Sequence, residues 1–362
     1  MSSPGILGLA EQYDNQGRHD AALEALTQGV REGDVEAMTR LGKRLLVGDR
    51  APALPREGTG FLLDAAGAGG AEAAERLAVL AATGAYRAAA SWEEALSALA
   101  LAAYRGWRPA RAQLCVLTAD RALARQAALA ANDPNSCATR DARLWRQLAS
   151  TVDLSFSRER ATSTVLSSDP SVRAFPEFIS EAVCNWLVER SRPRLARARV
   201  YDSNAGAETV HGTRSNRAAN FNLIEADLVQ IATQARIAAA CGVPLHNLEP
   251  LSVLHYNPGE KFERHFDFVT PTSPHYVNEL GRLGQRRMTF LIYLNDDYAG
   301  GETDFPRLSL RHRGKRRAGL CFVNTLSDGS PDERTLHAGL PPMQGEKWVV
   351  SQFVRDRRVL GG

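Results

Sequence analysis

The tripeptide His265-Phe266-Asp267 closes an apolar, aromatic-rich stretch, Tyr256 to Asp267, that reads YNPGEKFERHFD. In a strand, residues two apart point to the same face, so a histidine and a carboxylate at this spacing can ligate one metal ion together. The tripeptide carries little information alone, because a surface or core histidine beside an aspartate is common. A third ligand has to come from elsewhere in the chain. His337, in RTLHAGL, lies 72 residues further on, after a loop and before the turn PPMQGEKW, where a strand edge can face the first pair. Two histidines and one carboxylate leave adjacent metal positions open. That set suits non-haem Fe(II), which must bind both a cosubstrate and O2. The other histidines fit less well. His312 lies in the basic run RLSLRHRGKRR, read as an exposed hairpin; His211 and His275 are in loops; His246 and His255 flank another strand. His255 neighbours Tyr256 and so faces away from the side that Tyr256 lines.

Lys347 follows His337 by ten residues and is one of four lysines against forty arginines. It enters the apolar strand WVVSQF just past a Gly-Glu turn. A buried charge without a partner is costly, so an ammonium at this place asks for an anion. A dicarboxylic keto acid chelating iron through its C1 carboxylate and keto oxygen would offer its far carboxylate. The alternative is a solvated strand-end lysine whose stem runs past Trp348.

The elements that must position these residues begin near residue 165. Val172–Phe178 has strand character, Ser180 caps a helix with an acidic first turn, and Ala196–Asp202 is a further strand. Ser203–Asn220 is long, polar and glycine-containing, and reads as a loop. An amphipathic helix over Leu223–Cys241 precedes strands at Leu248–Tyr256, Met288–Leu294, Ala318–Asn324 and Trp348–Arg355. Short strands between turn signals predict a sandwich or barrel.

The first 114 residues are rich in Ala and Leu at helical spacing, and they repeat. Leu41, Leu77 and Leu114 are 36 and 37 apart, as are Gly33, Gly69 and Gly106; Gly48 and Gly84 keep 36, Ala66 and Ala103 keep 37. The unit is a helix hairpin. Glycines end its helices, and small residues (Ala37, Ala66, Ala103) let them approach. One hairpin cannot bury its apolar face, so hairpins must stack. Two more helices are expected at Asp120–Ala131 and Thr139–Ser150, broken by the turn cluster Asn132–Ser136. The expected domains are 1–150, helical; 151–168, a linker; and 169–362, strand-rich.

Composition bounds the rest. A hydrophobic fraction of 44% and a charged fraction of 23% over 362 residues are those of a soluble globular chain with ample core. A net charge of +3 is too small to argue for nucleic acid. Five scattered cysteines, an odd number without a CxxC pair, argue against a disulfide framework and for a reducing cytoplasm. The first residues lack a basic, then apolar, secretory pattern, and no apolar run is long enough to span a membrane.

Residues 170–356 resemble the prolyl 4-hydroxylase branch of the iron- and 2-oxoglutarate-dependent dioxygenases. The motifs come in order: LEPLSVLHYNPGEKFERHFDF, RRMTFLIYLNDDYAGGETDFP, AGLCFVNT and HAGLPPMQGEKWVVSQFVR. Residues of about 20–114 resemble the Sel-one-like repeat, a tetratricopeptide relative. The resemblance implies an α+β multidomain chain: an α-helical repeat solenoid, then a double-stranded β-helix, or jelly roll, with flanking helices. It implies His265, Asp267 and His337 as iron ligands and Lys347 as the partner of the distal carboxylate of 2-oxoglutarate. Tyr256 and Thr289 would line the cosubstrate pocket, and Gly300 and Gly301 would make a tight turn at the barrel rim. Arg214 lies in the loop that covers the substrate entrance in the family, although this chain reads GTRSNRAAN there, with Arg-Ser where Arg-Thr-Ser is typical. Fe(II) with 2-oxoglutarate and O2, and ascorbate in support, would hydroxylate an unactivated C–H bond while 2-oxoglutarate becomes succinate and CO2. No separate side-chain acid or base is needed.

The reading that follows is a dioxygenase acting on a prolyl residue of a protein or peptide held by the helical repeats. The same chemistry on a free amino acid or small metabolite is the second reading, and a repeat scaffold with an inactive barrel the third. No membrane partner is expected. The basic run 307–317 reads as a solvated hairpin rather than a nucleic-acid surface.

Overall fold

A computed structural model describes residues 5–132, 141–155, 161–198, 200–202, 207–209 and 214–359. The turn expected at Asn132–Ser136 falls almost wholly outside them, as do His211, Cys137 and parts of the loop expected at Ser203–Asn220. Two compact units emerge: Met1–Asp153 with Leu223–Ile231, and Leu154–Asn222 with Ala232–Gly362.

The first unit is helical: α1 (Ile6–Asn15), α2 (His19–Arg31), α3 (Val35–Val47), α4 (Pro55–Gly67), α5 (Ala71–Thr83), α6 (Trp92–Tyr104), α7 (Arg108–Leu117), α8 (Arg121–Asn132) and α9 (Ala142–Ser150). The starts of α2, α4 and α6, and those of α3, α5 and α7, keep the offsets of 36 and 37 seen in the sequence. Gly33, Gly69 and Gly106 follow the first helix of the pairs α2/α3, α4/α5 and α6/α7, and Gly48 and Gly84 follow the second helix of the first two. All five have φ between 66° and 102°, which a side chain would strain. Ala37, Ala66 and Ala103 are buried. Between α3 and α4 the contact is tighter still: a methyl group at Gly58 would stand 2.7 Å from the Gly42 carbonyl oxygen.

This unit also buries charge. Glu75 and Arg76, 4% and 6% exposed, pair at 3.2 Å. Trp107 Nε1 donates to Glu75 Oε2 at 2.8 Å, and Gln113 Nε2 donates to Glu75 Oε1. Arg76 donates to the carbonyls of Ile224 and Ala226, and the Leu228 N–H donates to Gln113 Oε1. Each charged or polar end meets a partner, as burial demands.

In the second unit the described strands pair antiparallel throughout. The strands are β1 (Thr164–Ser168), β2 (Ser171–Phe175), β3 (Ala196–Arg197), β4 (Val200–Asp202), β5 (Ala207–Thr209), β6 (Arg217–Phe221), β7 (Leu251–Tyr256), β8 (Phe262–His265), β9 (Arg286–Tyr293), β10 (Ala299–Gly300), β11 (Thr303–Phe305), β12 (Leu310–His312), β13 (Gly319–Val323), β14 (His337–Gly339), β15 (Pro342–Gln344) and β16 (Lys347–Arg355). Eight form one sheet in the order β1-β2-β13-β9-β16-β7-β6-β3. Four form a second, β12-β11-β14-β8; β10 pairs with β15, and β4 with β5. Phe305 of β11 packs with Val172, Leu254, Tyr256, Tyr293, Phe322 and Val349 of the large sheet, so the two sheets share an apolar core.

Strand alternation decides which residues look into that core. In β16, Lys347, Val349 and Ser351 sit opposite Tyr256, Leu254 and Ser252 of β7 and share their inward face. Gln352 lies on the other face and accepts from Gln234 of α11 (Leu228–Cys241) at 2.9 Å. Phe290 of β9 packs outward against Phe178 at 4.6 Å. Ser180 caps α10 (Glu181–Ser191), accepting from the Val183 N–H.

Three expectations need correcting. The strand expected over Ala196–Asp202 is two short ones, β3 and β4. The polar loop expected at Ser203–Asn220 contains β5 and most of β6; β6 pairs with β7 through Ala219 and Phe221, both buried. A helix, α12 (Pro274–Leu283), lies between β8 and β9, where none is expected from the sequence. Its cap is Ser273, whose hydroxyl accepts from the Tyr276 N–H, and Pro274 occupies its first turn.

Candidate metal centre

β8 and β14 are neighbours, and their register sets His265 directly opposite His337. β8 ends at His265, so Asp267 lies beyond the strand rather than within it. Its carboxylate nevertheless reaches both imidazoles: Oδ1 is 3.4 Å from His265 Nε2, and Oδ2 is 3.4 Å from His337 Nε2. One ligand atom from each residue lies within 4.8 Å of the other two, and no other group of three or more such side chains gathers this way among the described residues.

The hydrogen bonds around the two rings suit a cation. His265 Nδ1 meets the Glu263 carbonyl at 2.7 Å, and His337 Nδ1 meets the Thr335 carbonyl at 3.0 Å. A carbonyl only accepts, so each Nδ1 carries a proton and each ring turns its Nε2 toward Asp267. Burial pushes His337 down to about 4, with His265 adding to the shift and Asp267 opposing it. Burial alone would raise Asp267; the two imidazoles and the Thr289 hydroxyl outweigh it and hold the carboxyl well below its usual range. A carboxyl held low and a buried imidazole held low are ligands ready for a divalent metal, which takes them deprotonated.

A cavity of about 950 Å³ opens beside these groups. Tyr256, Phe262, His265, Asp267, His337 and Lys347 all line it. Lys347 is 2% exposed, and no carboxylate lies within ion-pair distance of its ammonium among the described residues. Instead it sits over the Tyr256 and Tyr293 rings, 5.2 and 5.8 Å from their centroids. Burial pushes it down to about 8, with Glu302 pulling the other way. Burial also pushes Tyr256 up to about 12, so its hydroxyl keeps its proton. Gly301, at φ +71°, gives the chain room at this point: a methyl there would meet the Tyr298 ring at 2.9 Å and the Lys347 stem at 3.4 Å.

Arg214 also lines the cavity. Its guanidinium lies 4.5 Å from the centroid of the Phe262 ring, which stacks on His265 at 3.5 Å, so it reaches the centre through an aromatic plate. Thr289 is the exception. The family resemblance puts it in the cosubstrate pocket, but it is not on the cavity wall. It stands behind Asp267 and donates to Oδ2 at 2.7 Å, and it accepts in turn from Asn324 Nδ2 at 2.9 Å. Sequence reasoning does not single out Asn324; its only signal is a polar residue ending the apolar strand AGLCFVN.

The basic run is largely matched by its own surroundings. Arg307 pairs with Glu333, Arg311 with Asp304, Arg316 with Glu181 and Arg317 with Glu177. His312 is half-buried in β12, not exposed as the hairpin reading has it.

Residues 251–355 match the family described as the 2OG-Fe(II) oxygenase superfamily, for which Fe(II) is the metal and 2-oxoglutarate and O2 the cosubstrates. The prolyl 4-hydroxylase subunit alpha-1 of Rattus norvegicus is 32% identical over 188 residues, which are 52% of this chain and 35% of that protein. The chain thus spans about a third of the length of the first curated relatives it matches. The probable prolyl 4-hydroxylase 3 of Arabidopsis thaliana is 29% identical over 240 residues, 57% of this chain and 81% of that one. Among solved structures, the viral collagen prolyl hydroxylase of Paramecium Bursaria Chlorella virus-1 has a TM-score of 0.39 and 23% identity, over 51% of this chain and 94% of that one. No helix among the described residues is long and apolar enough to cross a membrane. With the paired histidines, the aspartate and the buried lysine inside the matched segment, residues 251–355 are a 2OG-Fe(II) oxygenase domain similar to those of prolyl 4-hydroxylases.

Proposed function

We propose that this chain is an Fe(II)- and 2-oxoglutarate-dependent dioxygenase that hydroxylates an unactivated C–H bond, the target being a prolyl residue of a protein or peptide. One observation carries the reading. Three metal-ready ligand atoms converge on the wall of a cavity that also holds a buried ammonium with no carboxylate partner among the described residues. A metal explains the first half and a dianionic cosubstrate the second.

His265, Asp267 and His337 would hold Fe(II). Bound iron and 2-oxoglutarate would supply O2 activation coupled to decarboxylation, the chemistry that no side chain provides. The protein's part is placement. The carbonyls of Glu263 and Thr335 fix the imidazole tautomers, and Thr289 fixes the carboxylate. Lys347 and the Tyr256 hydroxyl would take the distal carboxylate of 2-oxoglutarate, a charge-assisted contact made strong by the burial of both side chains. Arg214 would stand at the substrate entrance.

The facing sheets support a double-stranded β-helix, and the hairpins at 36 and 37 residues support a Sel-one-like solenoid. The helical hairpins would hold the protein substrate, as concave repeat surfaces do. The unit boundary at Asp153 and Leu154 supports a domain limit near 150, with 223–231 counted among the helices; the expected linker 151–168 is shortened, because β1 (Thr164–Ser168) already pairs with β2 in the large sheet. The scattered cysteines support a cytoplasmic setting.

Incubation with 2-oxoglutarate, Fe(II) and ascorbate in air is expected to release succinate, and the His265→Ala variant is expected to release none. Mass spectrometry of proteins captured by that variant, then treated with wild type, is expected to show one added oxygen on proline. The added oxygen on a free amino acid instead would move the substrate to the small-molecule class. No succinate above the His265→Ala level would end the dioxygenase reading.

A further inference from the structure

We infer that Asn324 is a positioning residue for the metal centre, acting on Asp267 through Thr289 and joining the two chain segments that carry the ligands. The inference rests on the proposed metal site. Asn324 is fully buried, one residue past β13, and its N–H extends that strand's ladder to the Arg287 carbonyl at 2.8 Å. In β13, Phe322 lies opposite Thr289, so Asn324, two residues on, is the diagonal neighbour of Thr289 on the same face.

The hydrogen-bond directions are fixed by chemistry. Asp267 is ionised and only accepts, so the Thr289 hydroxyl must spend its one proton on Oδ2. Thr289 can then only accept from a second neighbour. Asn324 Nδ2 is that donor, at 2.9 Å. The amide gives up something for this role: its Oδ1 is buried with no hydrogen-bond partner among the described residues. A side chain placed only to fill space would not leave a polar atom so exposed to penalty.

The main chain of Asn324 makes the second link. Its carbonyl accepts from the Asp332 N–H at 2.9 Å. The Asp332 carbonyl accepts from both the N–H and the hydroxyl of Thr335, and the Thr335 carbonyl holds the Nδ1 proton of His337. Asp267 and His337 are thereby set from one residue, by its side chain and by its backbone.

Co(II) serves as the probe, read by titration calorimetry and by its ligand-field spectrum, so that no turnover is needed. Asn324→Asp keeps the shape and removes the donor; Thr289→Val removes the hydroxyl, and Thr289→Ser retains it. Asn324→Asp and Thr289→Val are each expected to weaken Co(II) binding roughly tenfold or more, the usual effect of losing an outer-shell partner, with an altered spectrum. Thr289→Ser is expected to stay near wild type. The double variant Thr289→Val with Asn324→Asp is expected to bind like Thr289→Val alone, because the relay is already cut. Wild-type affinity and spectrum in Asn324→Asp, or full additivity in the double variant, would overturn the inference. Should Asn324→Asp not fold, Thr289→Val against Thr289→Ser decides: equal affinities overturn it. A wild type that binds no Co(II) would instead remove the metal site itself.

Discussion

Two regions of this chain bury charge, and they do so in opposite ways. In the helical unit, Glu75 is met by Arg76, Trp107 and Gln113, and Arg76 by two carbonyls besides. The network is closed. In the oxygenase domain, two imidazole nitrogens and a carboxylate converge on one point, and Lys347 has no carboxylate partner among the described residues. That region is open. Closed burial holds a structure together; open burial is tolerated where a ligand is meant to complete it. The contrast separates groups whose loss should harm folding from groups whose loss should harm only binding.

The largest expected effect falls on the open region. Asp267→Ala should abolish Fe(II)-dependent release of succinate while the thermal transition of the metal-free protein falls only modestly, because besides the two histidines the carboxylate meets a single side chain, the Thr289 hydroxyl. A cooperative loss of structure in that variant would mean that the carboxylate is architectural.

Glu75→Ala tests the closed region. It leaves the Arg76 guanidinium buried without its carboxylate, and denaturant unfolding of the helical unit should show a loss of about 3–5 kcal/mol. A change within error would show that Arg76 finds other partners at once.

The next effect comes from pH. Lys347 titrates near 8 in the folded chain against 10.5 when unperturbed, so between those values the unfolded state holds more protons. Stability of the ligand-free protein should therefore rise with pH across that window, by about 3 kcal/mol relative to Lys347→Met, whose profile lacks the term. Parallel profiles for the two proteins would contradict a buried ammonium. Smallest is Gly301→Ala. A methyl in the left-handed region, pressed on the Tyr298 ring, should lower stability by roughly 1–3 kcal/mol and disturb the Lys347 stem beside it, visible as weaker 2-oxoglutarate binding.

Much of this architecture is legible in the amino-acid sequence. The proposed ligand set is readable in part through strand pairing: His337 has to lie on a strand able to neighbour β8, and it lies directly opposite His265, whereas Asp267 stands beyond the end of β8, where the rule for a strand face does not reach. Lys347 stands out because a lysine conflicts with the apolar strand it enters. The hairpin repeat is readable because left-handed glycines recur in phase. Thr289 is harder to place, because period two fixes only a face of the sheet, and both the cavity wall and the back of Asp267 lie on that face. Asn324 escapes a sequence reading because its importance lies in a hydrogen-bond direction, which no spacing encodes. The short strands β5 and β6 are hidden in a polar, glycine-containing stretch. Pairing with β7 and burial of Ala219 and Phe221 order β6 there, a tertiary effect that local composition does not announce.

The most direct test of the account is a pair of anaerobic titrations, Fe(II) and then 2-oxoglutarate, on wild type and Lys347→Ala. Removing a charge-assisted contact to the distal carboxylate should raise the 2-oxoglutarate concentration at half-saturation roughly ten- to a hundredfold and leave the Fe(II) titration unchanged. Equal shifts in both titrations, or none in either, would contradict it.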